Sequence, residues 1–401
     1  MLNFELYNPV KIIFGARESE NAGAYARTLG KTALVVSYSE HSFISDLLDR
    51  VSASLLDNGV SVTTFYKVQA NPLISHIREA ISICREKKID LVIGIGGGSV
   101  MDSAKIIAAG VLYPDDVWKM FVSRHDVDVA VPPTESLPTM LIPTLPATSS
   151  EMNCIGVATN DETHEKAYVV APALYSKISL VDPELTLTLP AFQTASGAID
   201  AISHVLEAYF NGDQYSPLQD RIQEGLVISI MDELKEVLAD PENVAHRANI
   251  QWASTLAWNG WMQAGLNATT PMHQMGHVLS ARYNITHGVT LAIFMASFFR
   301  YTATLNDERA ARFAVAGERI LGINRNGRSD YDVAEEFVDR FTEFMKSTGI
   351  PTTLHEVGIE EKDFGAIADD IVAHGCDLNG NLPSIPPIGR EGILKTLYLA
   401  R

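Results

Sequence analysis

Between Asp200 and His287 the chain carries five side chains of metal-binding type at regular spacing: Asp200 and His204, His273 and His277, and then His287. A separation of four places two side chains on one helix face, one turn apart. An aspartate and several imidazoles facing one point suit a divalent metal of the zinc, iron or cobalt class, whereas magnesium and calcium prefer oxygen shells. A single histidine on a helix is more often a packed or surface residue. His246, which lies between the two groups and falls into the spacing of neither, is read that way. Asp200-x3-His204 together with His273-x3-His277-x9-His287 is poorly explained by chance.

A second candidate is the turn Gly96-Gly-Gly-Ser99, set between the apolar run Leu91–Ile95 and a helical pattern. Glycines let backbone amides approach a phosphate closely, and the N-terminus of a helix favours its charge. Ser99 adds a hydroxyl donor or a helix cap. A tight strand-to-helix connection would use the same glycines, and the full G-x-G-x-x-G order is absent although Gly94-x-Gly96 overlaps its start. Asp102 and Lys105 follow on the same helix, where the plain reading is a solvated pair. Pro143-Thr-Leu-Pro-Ala-Thr-Ser-Ser-Glu151 offers a hydroxyl-rich loop after a strand, able to line a nucleotide site or to serve only as a turn and cap.

The elements that must position these residues follow from the apolar pattern. Strands are expected at Lys11–Gly15, Ala33–Val36, Val60–Tyr66, Leu91–Ile95, Thr139–Ile142 and Ile178–Val181. Helices are expected through Leu47, Leu48, Val51 and Leu55, ending at Asn58-Gly59; through Ile77, Ile81 and Cys84; and through Val100, Ala104, Ile107 and Ala108. Tyr113 to Pro138, rich in Asp and Pro, reads as a loop or excursion. Alternating strand and helix predicts a parallel α/β sheet. Beyond about residue 188 the spacing is helical, as in Ile199, Ile202, Val205, Leu206 and Tyr209. The expectation is an α/β domain over 1–182 and a helical domain over 183–401.

The chain has 401 residues, long for one core, with 46% hydrophobic and 20% charged residues, ordinary for a globular enzyme. A net charge of −18 argues against nucleic-acid and anionic-membrane partners. Cys84, Cys154 and Cys376 are far apart and form no CxxC, which points to a reducing cytoplasm. The N-terminus lacks the pattern of a signal peptide, and no apolar run approaches the ~18 residues of a membrane span.

Taken jointly, Gly96–Ser99 with Asp102 and Lys105, Pro143–Glu151, Asp200-x3-His204 and His273-x3-His277-x9-His287-Gly288 resemble the iron-containing alcohol dehydrogenase family over nearly the whole chain. The resemblance implies a dehydroquinate synthase-like fold, with a dinucleotide-binding α/β domain followed by an all-α metal domain. It implies Asp200, His204, His273 and His287 as ligands of one divalent ion, iron or zinc, and His277 as the unligated histidine beside the nicotinamide. Gly96, Gly97, Gly98 and Ser99 would hold the pyrophosphate. Asp102, Thr144, Thr148 and Ser149 would line the cofactor, with Lys166 helping to hold its ribose. Where the family loop commonly reads Gly-Thr-Gly-Ser-Glu, this chain has Ala147-Thr-Ser-Ser-Glu151, a form that looks like the butanol dehydrogenase and broad aldehyde reductase branch. A homodimer is expected.

The chemistry expected is reversible reduction of a small aldehyde to a primary alcohol, with metal polarisation of the oxygen, hydride from the nicotinamide and a proton relayed by His277. The alternatives are a polyol dehydrogenase of the glycerol dehydrogenase type, a dehydroquinate synthase-like lyase, which would need a strongly basic pocket, and a non-catalytic metal-binding protein, which has no use for the glycine turn. Val35-Val36 leads into Ser37, Tyr38 and Ser39 with no acid at the strand end, so these residues are expected at the adenine ribose, with NADP(H) favoured over NAD(H). Glu40, just beyond, is the opposing feature.

Overall fold

A computed structural model describes residues 1–122, 130–212 and 215–401. Residues 123–129 of the excursion expected over Tyr113–Pro138 lie outside the described residues. In chain order the strands and helices begin with β1 (Lys11–Phe14), α1 (Ala22–Ala26), β2 (Thr32–Tyr38), α2 (Ser45–Asp57), β3 (Ser61–Val68), α3 (Ile74–Lys87), β4 (Leu91–Gly96) and α4 (Gly98–Leu112). Then come β5 (Thr139–Pro143), β6 (Ile155–Asn160), β7 (Glu165–Val170) and β8 (Ile178–Val181), followed by α5 (Ala191–Asn211), α6 (Pro217–Ala239) and α7 (Val244–Ala257). The chain ends with α8 (Pro271–Tyr283), α9 (His287–Thr302), α10 (Asp307–Ile320), α11 (Asp330–Ser347), α12 (Phe364–Gly375) and α13 (Arg390–Leu399).

Two compact units result. The α/β unit comprises Tyr7–Leu189 and Glu242–Gly260. Its sheet has six parallel strands in the order β1-β8-β5-β4-β2-β3. The near-continuous apolar runs read from the sequence are explained by burial on both faces. Leu34, Val36, Val92 and Leu141 join one core with α3 and α4, while Ala33, Val35, Ile93, Met140 and Ile142 join another with α1 and α2. The antiparallel hairpin β6–β7, which the pattern reading does not assign, packs beside α4.

Within this unit α7 is fastened to the loop after β5. Thr255 Oγ1 donates to Glu151 Oε1 at 2.6 Å, Ser149 Oγ donates to the Ser254 carbonyl at 2.5 Å, and the Trp258 N–H donates to Ser149 Oγ at 2.8 Å. These bonds explain why a helix distant in sequence belongs to the α/β unit. They also explain how Ser149 occupies a position with φ +54°, a left-handed conformation that favours glycine.

The helical unit comprises Met1–Leu6, Pro190–Pro241 and Trp261–Arg401. Its central element is α5, buried at every position from Thr194 to Asn211 and packed against α6 and α9. A helix buried all round carries apolar residues on most faces, so the polar residues it does bury need partners. Phe210 at its end stacks on Phe313 with ring centroids 4.0 Å apart and meets the edges of Phe299 and Phe337.

Ser149→Ala keeps the left-handed backbone but leaves the Trp258 N–H without this acceptor, so it should lower the stability of the α/β unit by about 1–3 kcal/mol in denaturant unfolding. Ser149→Gly loses the same bonds yet relaxes the backbone, so its loss should be smaller. Equal stability of Ser149→Ala and the parent would contradict this account.

Candidate metal centre and cofactor site

Asp200, His204 and Glu207 lie on one face of α5 and are 3%, 8% and 0% exposed. α8 opens with Pro271, whose fixed φ suits the first helical position, and carries His273 in its first turn. His287 is the first residue of α9. The approach of α9 to α5 depends on Gly288, because a Cβ there would sit 2.1 Å from the Ser196 carbonyl oxygen. Gly276 does the same for α8 and α9, where a Cβ would lie 2.8 Å from Thr290 Oγ1.

One oxygen, Asp200 Oδ1, sits at the centre of the group. His204 Nδ1 is 3.5 Å from it, His273 Nε2 3.6 Å and His287 Nε2 4.0 Å. Ligand atoms of Asp200, His204 and His273 all lie within 4.8 Å of one another. Two ligands bonded at 2.0–2.1 Å to a tetrahedral ion stand about 3.4 Å apart, so the spacing fits a shared metal. Asp200 Oδ1 and His273 Nε2 are buried and make no hydrogen bond, a costly arrangement that coordination would relieve. His277, one turn beyond His273 on α8, has its ring 6.2 Å from that of His273 and 5.2 Å from that of His287.

Electrostatics point the same way. Burial pushes His204 down to about 4, against the pull of Asp200, so at neutral pH it is the neutral imidazole a metal needs. Burial also acts to lower His273, but Glu207 and Asp200 outweigh it and hold the ring up at about 9. Two buried carboxylates thus draw a positive charge into the group, a demand that a divalent ion meets.

Glu207 is the residue that sequence reasoning missed. Its Oε1 accepts the N–H groups of Met272 at 2.5 Å and His273 at 3.3 Å, and its Oε2 bonds His273 Nδ1. The available signal was its place three residues after His204 on the same helical face.

In the α/β unit the order of the strands reverses between β2 and β4, and the carboxyl ends of strands at such a switch point are where open α/β sheets bind ligands. Gly96–Ser99 and Tyr38 meet there, the Gly97 N–H donating to Tyr38 Oη at 2.7 Å. A Cβ on Gly97 would lie 2.8 Å from that oxygen, and one on Gly98 2.6 Å from Thr148 Cγ2. Ser99 Oγ donates to the Ala70 carbonyl at 2.5 Å, and the Thr144 N–H donates to the Gly96 carbonyl at 3.1 Å. Lys166 Nζ donates to Asn71 Oδ1 at 3.1 Å.

Other expected contacts are placed differently. Ser37 is fully buried and its hydroxyl donates to the Ile95 carbonyl at 2.9 Å, because its side chain points into the sheet rather than beyond the strand end. Ser39, by contrast, is exposed just past β2 as expected, with its Oγ 3.5 Å from the Val68 carbonyl. Ser149 is fully buried and its hydroxyl serves α7. Asp102 accepts Ser150 Oγ at 2.5 Å and the Val157 N–H at 3.0 Å. Lys105 is 0% exposed, not solvated: it donates to the Ser150 carbonyl and Asn153 Oδ1, both at 3.0 Å, and lies 3.5 Å from Asp102. Asp102 and Lys105 therefore brace the loop after β5 from behind.

A parallel sheet with a glycine turn at its switch point and a buried aspartate–histidine cluster are the parts that a nucleotide-using, metal-dependent enzyme needs. The family model described as iron-containing alcohol dehydrogenase matches residues 9–183, and that of the family's C-terminal region matches residues 194–397. The chain is 36% identical to NADH-dependent butanol dehydrogenase A of Clostridium acetobutylicum over 395 residues, 98% of each chain. It is 30% identical to the NADPH-dependent aldehyde reductase YqhD of Escherichia coli over 379 residues, 94% of each. Among solved structures, NADH-dependent butanol dehydrogenase A from Thermotoga maritima superposes with a TM-score of 0.91 at 34% identity, covering 100% of this chain and 99% of the other. The chain belongs to the iron-containing alcohol dehydrogenase family, and the α/β fold followed by helices is the one expected from its sequence.

His204→Ala and His273→Ala should each remove bound metal and activity together, since water replaces an imidazole ligand poorly. Metal analysis of the purified variants checks this, and full occupancy in both would refute the ligand assignment.

Proposed function

We propose that this protein reduces small aldehydes reversibly to primary alcohols, with the α/β unit binding a nicotinamide cofactor and the helical unit holding one divalent ion. The observation that carries the reading is the convergence of His204, His273 and His287 on the unsatisfied oxygen of Asp200, in a chain whose relatives are named for butanol oxidation and aldehyde reduction. Three imidazoles and a carboxylate suit iron or zinc. When bound, the ion supplies Lewis acidity toward the substrate oxygen and the nicotinamide supplies or accepts hydride. Asp200, His204, His273 and His287 hold and orient the ion. His277, next to His287 and outside the ligand group, moves the proton between substrate oxygen and solvent. Gly96 to Ser99 receive the pyrophosphate at the start of α4, and Tyr38, Thr144, Thr148 and Lys166 line the cofactor, with Asp102 bracing the loop.

The preference for NADPH expected from Ser37 and Ser39 loses the Ser37 part of its support, because that hydroxyl is buried and committed to Ile95, which leaves Ser39 at the strand end. Glu40 is exposed just past β2, where a carboxylate bonds the 2′-hydroxyl of the adenine ribose and repels a 2′-phosphate. The geometry therefore favours NADH. We also read the protein as a cytoplasmic homodimer. Among the described residues no helix is long and apolar enough to cross a membrane. Strand β1 is an edge of the sheet, with Phe14 40% exposed on it, a surface suited to a second copy.

Butanal with NADH should be turned over faster than glycerol with NAD+, and kcat/KM for butanal should be higher with NADH than with NADPH. Glu40→Ala should narrow that ratio by about tenfold, the worth of one ~1.4 kcal/mol contact. A parent preference for NADPH would refute the role of Glu40, and faster glycerol oxidation would favour the polyol reading. His277→Ala should keep its metal while turning over more slowly with an altered pH profile; loss of the metal would move His277 into the ligand set.

A further inference from the structure

Glu207 is a carboxylate with no exposure to solvent, seven residues beyond Asp200 on the same face of α5. Its oxygens divide their work. Oε1 accepts the Met272 and His273 N–H groups at the start of α8, which have no acceptor within their own helix. Oε2 is bonded to Nδ1 of the His273 ring. The geometry points to Glu207 as a positioning residue of the metal centre, one that fixes both the first turn of α8 and the tautomer of His273.

This role presupposes the metal centre proposed above. An ionised carboxylate only accepts, so Nδ1 of His273 must carry the proton. With an ion bound, Nε2, the nitrogen 3.6 Å from Asp200 Oδ1, would give up its proton and present its lone pair to the centre. A histidine ligand held by a carboxylate through its other nitrogen is fixed in orientation and is more basic toward the ion. The competing account is that Glu207 merely caps α8, and glutamine separates the two. Its amide oxygen can still accept the N–H groups of α8. Its amide nitrogen then donates toward Nδ1, which selects the opposite tautomer and turns Nε2–H toward the ligand group.

The test is zinc affinity of the metal-stripped full chain, measured by competition with a chromophoric chelator, for the parent, Glu207→Gln and Asp200→Asn. Positioning predicts a 10- to 100-fold weaker affinity in Glu207→Gln, with helical circular dichroism unchanged. Parent-like affinity in Glu207→Gln alongside weakened binding in Asp200→Asn would overturn the role of Glu207 and leave the metal centre standing. Parent-like affinity in both would overturn the metal centre itself and the proposal with it. Should Glu207→Gln fail to fold, nitrogen-15 NMR of histidines in the zinc-loaded parent decides: His273 should show a protonated Nδ1 with a downfield proton, and a deprotonated Nδ1 would overturn the proposal.

Discussion

Asp200 and Glu207 bring two carboxylates into the interior of the helical unit on a single helix, at 3% and 0% exposure. Buried charge is costly unless it is paired and hydrogen-bonded, and much of the surrounding architecture supplies that compensation. The first turn of α8 gives two N–H groups and an imidazole to Glu207, while His204, His273 and His287 surround Asp200 Oδ1. Helices α8 and α9 both deliver a histidine from their first turn, and the close approach of α9 rests on Gly288. The two buried carboxylates of α5 are thus the constraint that the helix starts and the glycine answer.

The α/β unit solves its binding problem with backbone instead of side chains. Small residues at Gly97 and Gly98 let Tyr38 and Thr148 close on the turn. Behind it, the buried Lys105 draws together Ser150, Asn153 and Asp102, while Glu151 and Ser149 reach α7. Removing one member of such a buried charged pair is far more damaging than the net worth of the pair, because the other is stranded. The loop that would line the cofactor is therefore held from both sides by largely buried polar groups.

The cluster of candidate ligands was legible in the sequence because helical spacing projects Asp200 and His204 onto one face of α5, with His273 and His287 at the starts of α8 and α9. Strands β2, β4, β5 and β8 of the parallel sheet were legible because burial on both faces writes them as continuous apolar runs. Glu207 was not, because a glutamate one turn beyond a histidine is common on helices and its partner His273 lies 66 residues away. The membership of α7 in the α/β unit depends on single hydrogen bonds from Ser149 and Glu151, which leave no periodicity. Lys105 and Ser37 misled in the same way: each is a polar residue whose type suggests solvent or ligand, while the structure buries it and satisfies it internally. The hairpin β6–β7 is short, and a turn at Asp161–His164 joins two runs that lack a strong alternation of their own.

The central claim is that Asp200 and three histidines form one metal centre. Zinc K-edge X-ray absorption on protein loaded with a single equivalent of zinc tests it directly, since it reads ligand type and distance without reference to activity. The account predicts three imidazole nitrogens and a carboxylate oxygen, with the nitrogens at about 2.0–2.1 Å. An all-oxygen shell, or one containing sulfur, would contradict it.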